Sequence, residues 1–174
     1  MADEGEKRFD EVNSQANESN RADASTAPRP ASLPLPEALP QDRRARGEIL
    51  LAAITGRSGA QVMASLADIA PDFAGYIFEF GYGDIYARPG LDLRTRLIAT
   101  VAGLVCLGHA ERELEVHIGS ALNCGASREE VVEAIMQMAL YAGFPAALNA
   151  LMVAKRVFAA RDADATPADT PPAP

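Results

Sequence analysis

The sequence predicts an all-α fold, and three observations carry that reading. Between residues 43 and 161 apolar side chains recur three and four positions apart, and no alternating stretch flanked by hairpin turns argues for a strand. These apolar segments are bounded by helix start and stop residues, the clearest being Ser127-Arg-Glu-Glu130, a capping box in which two orphan N–H groups are satisfied reciprocally. Charge and proline then divide the chain into three parts. Residues 1–42 carry nine acids, four bases and five prolines, residues 162–174 carry three acids, no base and four prolines, and residues 43–161 hold twelve charges of each sign. Polar segments rich in Pro, Ala and Ser bury too little apolar surface to offset the entropy of ordering them. The expected organisation is a disordered acidic leader over 1–42, one helical domain over 43–161, and a disordered acidic tail over 162–174.

Within the domain each element has a local cause. A first helix is expected over 43–55, stopped by Gly56, and a second from Ser58 to about Ile69, ahead of Pro71. A third opens at Pro71, whose fixed φ suits the first helical position, and carries Phe73, Tyr76, Ile77 and Phe80 at helical spacing. Gly81 and Gly83 are expected to end it, leaving Tyr86-Ala-Arg-Pro-Gly-Leu-Asp92 as a loop. Asp92 is placed to cap a long apolar helix from Leu93 to about Leu107, with Gly108 as its stop and Leu97, Val101, Leu104 and Val105 toward a core. A helix over 110–123 ends at Gly125, the capping box launches another through Tyr141, and Gly143-Phe-Pro145 breaks the chain before a last helix over 145–160. Small residues at Ala146, Ala147 and Ala150 predict closely approaching helices, and exposed apolar faces on so short a bundle favour a homo-oligomer.

Composition excludes several functions. A net charge of -8 and a pI near 4.8 argue against duplex nucleic acid or an anionic membrane as the main partner, since both reward clustered Lys and Arg. No apolar run reaches the length of a membrane span and the charged N-terminus lacks a secretory apolar region, so a cytoplasmic location is expected. Cys106 and Cys124 stand 18 positions apart, forming neither a C-x-x-C pair nor a thiolate cage for a metal. No phosphate-binding glycine loop, dinucleotide fingerprint or nucleophile elbow is present, the chain offers too few His and Cys ligands for a zinc site, and no metal is expected.

The candidate chemistry lies on the helix over 110–123. Glu113, His117, Ser120 and Cys124 step by four, three and four, so they form one polar stripe beside the apolar residues Leu114, Ile118, Ala121 and Leu122. Glu113, one turn before His117, would raise the imidazole pKa and orient it as a general acid; the plainer alternative is a solvated face with an ordinary i,i+4 pair. Arg88, Arg94 and Arg96 cluster near the loop, where a guanidinium can grip a carboxylate with two parallel hydrogen bonds, unless they pair with acids on neighbouring helices. Tyr141 is a candidate hydrogen-bond donor or a core residue, and Cys124 lacks the flanking cations that activate a thiol.

Three stretches together resemble the gamma-carboxymuconolactone decarboxylase family: Phe80-Gly-Tyr-Gly-Asp-Ile-Tyr-Ala-Arg-Pro-Gly-Leu-Asp-Leu-Arg-Thr-Arg96, Glu113-Leu-Glu-Val-His117-Ile-Gly-Ser-Ala-Leu-Asn123 and Tyr141-Ala-Gly-Phe-Pro-Ala-Ala-Leu-Asn-Ala150. The resemblance covers roughly 43–160. The wider alkylhydroperoxidase-D-like superfamily includes peroxidases marked by C-x-x-C-x-x-x-H, and aligning that histidine with His117 puts Ala110 and Glu113 where the cysteines would stand, so thiol peroxidase activity is not expected. The resemblance implies a helical fold assembled into an oligomeric ring, a hexamer or trimer, and cofactor-independent decarboxylation of 4-carboxymuconolactone to 3-oxoadipate enol-lactone. It further implies His117 as proton donor, Glu113 orienting it, Arg88 and Arg96 toward substrate carboxylates, and Tyr141 toward the carbonyl oxygen. The partner is then a small organic acid or lactone. A same-scaffold enzyme acting on another lactone or cyclic acid, and a non-catalytic oligomeric accessory protein, are the alternatives.

Overall fold

The computed structural model describes Leu33, Leu35, Pro36 and residues 38–165, so the expectation for the leader and most of that for the tail lie outside the described residues. All regular structure among the described residues is helical. Helix α1 (Arg43–Thr55) is capped by the Asp42 carboxylate, which accepts from the Ala45 amide, and stops at Gly56. Helix α2 (Arg57–Ala64) is shorter than expected: its end tightens into successive i→i−3 bonds, such as Leu66 to Met63 and Ala67 to Ala64, before Pro71.

The main departure from expectation follows. Helix α3 (Phe73–Tyr76) does not stop at the glycines but runs on as a π-helical segment, Ile77–Tyr86. The widened ladder is visible where the Ala87 amide donates to the Tyr82 carbonyl, five residues back. Gly83 serves packing, as does Gly47 of α1. A Cβ on Gly47 would lie 1.8 Å from the Phe78 carbonyl oxygen, and one on Gly83 would lie 2.4 Å from the Arg43 carbonyl oxygen, so the two backbones meet with no room for a side chain. Arg46 then donates to the Gly83 carbonyl at 2.7 Å, and Arg43 donates to Asp84 at 3.0 Å, which fixes the register of this contact.

Helix α4 (Leu93–Leu107) and its caps fall where the sequence places them, with Asp92 accepting from the Thr95 amide and Gly108 in the left-handed conformation. Helix α5 (Glu111–Asn123) and α6 (Arg128–Gln137) follow, the latter opened by the complete capping box of Ser127 and Glu130. The expected run through Tyr141 is interrupted at Met138, giving a short α7 (Ala139–Ala142). Helix α8 (Phe144–Ala165) extends past the expected end near 160, because Arg128 pairs with Asp162 and Arg161 donates to the Gly119 carbonyl at 2.8 Å, holding the extra turn against α5 and α6.

The core is built from one face of each long helix. Leu50 and Ile54 of α1, Leu97, Val101 and Val105 of α4, Ile118 of α5, Ile135 of α6 and Val153 of α8 are essentially inaccessible. Ala121, Ala147 and Ala150 are also buried, so small side chains set the close spacing of α5 and α8 within this core. Leu140, Tyr141, Phe144 and Leu148 remain outside it, with Tyr141 76% and Phe144 79% exposed. No helix among the described residues is long and apolar enough to cross a membrane.

Candidate functional site

Helix α5 packs between α1 and the long helices α4 and α8, and this placement decides what its polar residues can do. Leu114, Ile118 and Ala121 are drawn into the core, as the helical spacing predicts, and Glu113 and His117 are turned to its edge. There they meet a cavity of about 420 Å³, within the roughly 300–1,000 Å³ range of small-ligand pockets. Leu51 and Thr55 of α1, Val62, Met63 and Leu66 at α2, Ile77, Tyr82 and Tyr86 of the π-helical segment, and Arg112, Glu113, Val116 and His117 of α5 contribute to its wall. Most of this wall is apolar. The Thr55 hydroxyl is already committed to the Leu51 carbonyl at 2.7 Å.

His117 stands out in the cavity wall by its surroundings. Its Nδ1 is buried and has no hydrogen-bond partner among the described residues, an uncommon condition for a buried polar atom. Burial pushes its pKa below the ordinary histidine value, and the Glu113 carboxylate opposes that shift without overcoming it. The sequence-based expectation of a raised pKa is therefore corrected: Glu113 acts in the expected direction, but desolvation by the apolar wall is the larger effect.

The π-helical segment supplies two tyrosines four residues apart, Tyr82 and Tyr86, stacked at 4.9 Å between ring centroids and 16° between planes. Tyr82 is buried, and desolvation raises its pKa well above the usual phenol range, so it stays protonated as a donor. Burial raises the Tyr86 phenol likewise, and its hydroxyl meets the Thr100 hydroxyl at 3.2 Å. Further along α5, Ser120 donates to the Val116 carbonyl at 2.9 Å and is fully buried, while burial pushes the Cys124 thiol up to about 11. Cys124 is thus a thiol at neutral pH and no nucleophile.

Of the residues singled out in the sequence, the fold brings Glu113 and His117 together on the cavity and leaves Arg88, Arg96 and Tyr141 outside its wall. Arg96 donates to the carbonyls of Arg88 and Leu91, at 3.2 and 3.3 Å, and so shapes the loop before α4. Arg94 is paired with Glu130, the capping-box carboxylate of α6. Tyr141, within α7, is exposed on the surface. Arg112, Tyr82 and Tyr86 were not singled out by the sequence; the i,i+4 tyrosine spacing was the available signal for two of them. Among the described residues no three His, Cys, Asp or Glu side chains converge as a metal site would need.

Comparison with known proteins agrees with this geometry. Residues 71–156, which include the π-helical segment, α5 and most of α8, match the sequence profile of the carboxymuconolactone decarboxylase family. A 4-carboxymuconolactone decarboxylase of Acinetobacter baylyi is 38% identical over 96 residues, covering 55% of this chain and 71% of that protein. An uncharacterised 15.0 kDa protein from the nqo9–nqo10 intergenic region of Paracoccus denitrificans is 34% identical over 101 residues, 58% of this chain and 75% of that one. A nitrosuccinic acid decarboxylase of Metarhizium robertsii is 35% identical over 80 residues, 46% of this chain and 55% of that one. With helices throughout, an apolar cavity presenting His117, and this extent of shared sequence, the chain belongs to the carboxymuconolactone decarboxylase family.

Proposed function

We propose that the protein is a carboxy-lyase that decarboxylates 4-carboxymuconolactone to 3-oxoadipate enol-lactone without a cofactor. The observation that carries this reading is an imidazole with an orphaned nitrogen in the wall of an apolar cavity, one helical turn from a carboxylate. The departing carboxylate of such a substrate is vinylogous to the lactone carbonyl. When its C–C bond breaks, the electron pair passes through the ring double bond onto the carbonyl oxygen as a dienolate, and CO2 leaves. The substrate is its own electron sink. What remains for the protein is to desolvate the carboxylate, stabilise the developing oxyanion and protonate the ring carbon beside the carbonyl.

His117 in its protonated form is the proton donor in this scheme, and Glu113 is a positioning residue that favours the imidazolium through its charge. Tyr82, kept protonated by burial, takes the oxyanion-donor role that the resemblance assigned to Tyr141. The exposed apolar residues of α7 and the start of α8, including Leu140, Phe144 and Leu148, support a homo-oligomer.

The test is to generate 4-carboxymuconolactone in situ and follow its loss as CO2 and enol-lactone appear, with the purified protein and with His117→Ala. Loss of a positioned proton donor is expected to reduce turnover about 10²–10⁴-fold with the fold intact by circular dichroism. Near-normal turnover by folded His117→Ala would refute the assignment. No turnover by the unaltered protein would move the substrate to another acid, a reading that the nitrosuccinic acid decarboxylase among its relatives supports.

A further inference from the structure

A dicarboxylic ligand needs a cation as well as a proton donor, and most arginines of the helical core are already engaged by the protein itself. Arg43 is bonded to Asp84, Arg94 to Glu130, Arg128 to Asp162 and Arg156 to Glu111, while Arg96 and Arg161 are held by backbone carbonyls. Arg112 differs. Among the described residues no hydrogen bond or ion pair engages its guanidinium, although Glu111, Glu113 and Glu115 all stand close in sequence. It lines the His117 cavity and also a neighbouring, more polar one of about 450 Å³ that includes Ser58, Gln61 and Asn123, so it stands on the wall between them. Apart from His117 it is the one basic side chain in the described lining of the first cavity.

Where a cation sits relative to a leaving carboxylate matters. A guanidinium on that carboxylate would stabilise the charge that must be lost and so oppose cleavage, whereas the same group on a second, non-reacting carboxylate converts its binding into orientation. The exposed position of Arg112 suits the second arrangement, because it lies toward solvent while the apolar residues lie within. We infer that Arg112 determines specificity for dicarboxylic substrates by gripping the non-reacting acetate carboxylate at the cavity mouth, which directs the reacting carboxylate into the apolar interior beside His117.

This inference rests on the decarboxylase reading of the cavity, and its test uses a probe that binds without reacting. The saturated lactone bearing the same carboxylate and acetate arms has no ring double bond and cannot delocalise the electron pair. Its affinity is measured by calorimetry for the unaltered protein, Arg112→Gln and Arg112→Lys, beside a saturated lactone whose acetate arm is a methyl ester. A hydrogen-bonded charge pair of this kind predicts about a 10- to 100-fold loss of dicarboxylate affinity in Arg112→Gln, partial retention in Arg112→Lys, and little change for the ester. Equal affinity of the unaltered protein and Arg112→Gln for the dicarboxylate, or no binding by the unaltered protein, overturns the inference. Arg112-dependent binding without turnover of the unsaturated lactone would instead overturn the decarboxylase reading and leave the acid-binding role standing. Turnover by Arg112→Gln with a raised KM and a kcat within a few-fold of the unaltered protein is expected; a large fall in kcat alone contradicts the assignment.

Discussion

Replacing Gly47 with alanine should cost this protein far more than replacing Gly81, although both glycines lie in helical backbone of the same layer. The added Cβ at position 47 would sit 1.8 Å from the Phe78 carbonyl oxygen and 2.6 Å from its carbon, distances that real Cβ atoms do not adopt below 3.0 Å. Helix α1 and the π-helical segment must then part by more than an ångström. Overpacking of this kind costs about 1–3 kcal/mol. The separation also stretches the part-buried bond from Arg46 to the Gly83 carbonyl, and hydrogen bonds to charged groups contribute about 1.5–3 kcal/mol. A loss of about 3 kcal/mol or more follows. With a urea slope of about 1–3 kcal/mol/M, the unfolding midpoint of Gly47→Ala should fall by about 1–3 M relative to the unaltered protein at the same concentration. Gly81 has open space around its Cβ position, so Gly81→Ala should leave the midpoint unchanged or raise it slightly through helix propensity. Equal midpoints for the two variants would refute the close-packing account of Gly47 and Gly83. Because Ile77, Tyr82 and Tyr86 ride on the displaced segment and line the cavity, residual folded Gly47→Ala should also lose ligand affinity.

The remaining predictions concern protons. If protonated His117 is the acid, kcat/KM should fall as pH rises through its free-enzyme pKa, and because burial lowers that pKa the midpoint should lie below the ordinary value of about 6.5. Glu113→Gln removes the charge that opposes the shift, so the midpoint should move further to acid, while a midpoint unchanged by the substitution would exclude Glu113 as the positioning residue. Binding of the saturated dicarboxylic lactone near pH 7 should take up as much as one proton per site, measured by calorimetry in buffers of different ionisation enthalpy, and His117→Ala should abolish the uptake.

Local signals made most of the fold readable in advance. Asp92, Gly108 and the Ser127 box act through bonds within four residues, so the sequence around them contains their whole cause. Gly81 and Gly83 look the same in one dimension as helix stops, but the role of Gly83 depends on Arg43, forty residues earlier, and a spacing rule has no access to that contact. The same division runs through the site. Glu113 and His117 were legible because one helix carries both. The direction of the His117 shift was not, since it follows from burial, and the cavity His117 lines is walled by Leu51, Val62, Met63 and Tyr82 from other elements. Arg112 falls off the polar stripe by helical angle, and only the fold reveals that its side chain shares the cavity with His117.

A lowered histidine pKa is at first sight a poor property for an acid, and it becomes intelligible only when the ligand's charge is counted with the protein's. In the free protein burial disfavours imidazolium and so favours the neutral form of His117. A bound dicarboxylate brings negative charge into the same low-dielectric space, where opposite charges interact far more strongly than in water, and so favours protonation of His117. The wall then acts against the charges it has admitted. In the proposed reaction, loss of CO2 would spread a localised carboxylate charge over a dienolate, and transfer of the His117 proton to the ring carbon would remove that charge and the imidazolium together. Each step reduces what the apolar surroundings disfavour. In the proposed mechanism, the burial that lowers the pKa in the free protein is therefore the same feature that would drive decarboxylation and protonation forward once the ligand is bound.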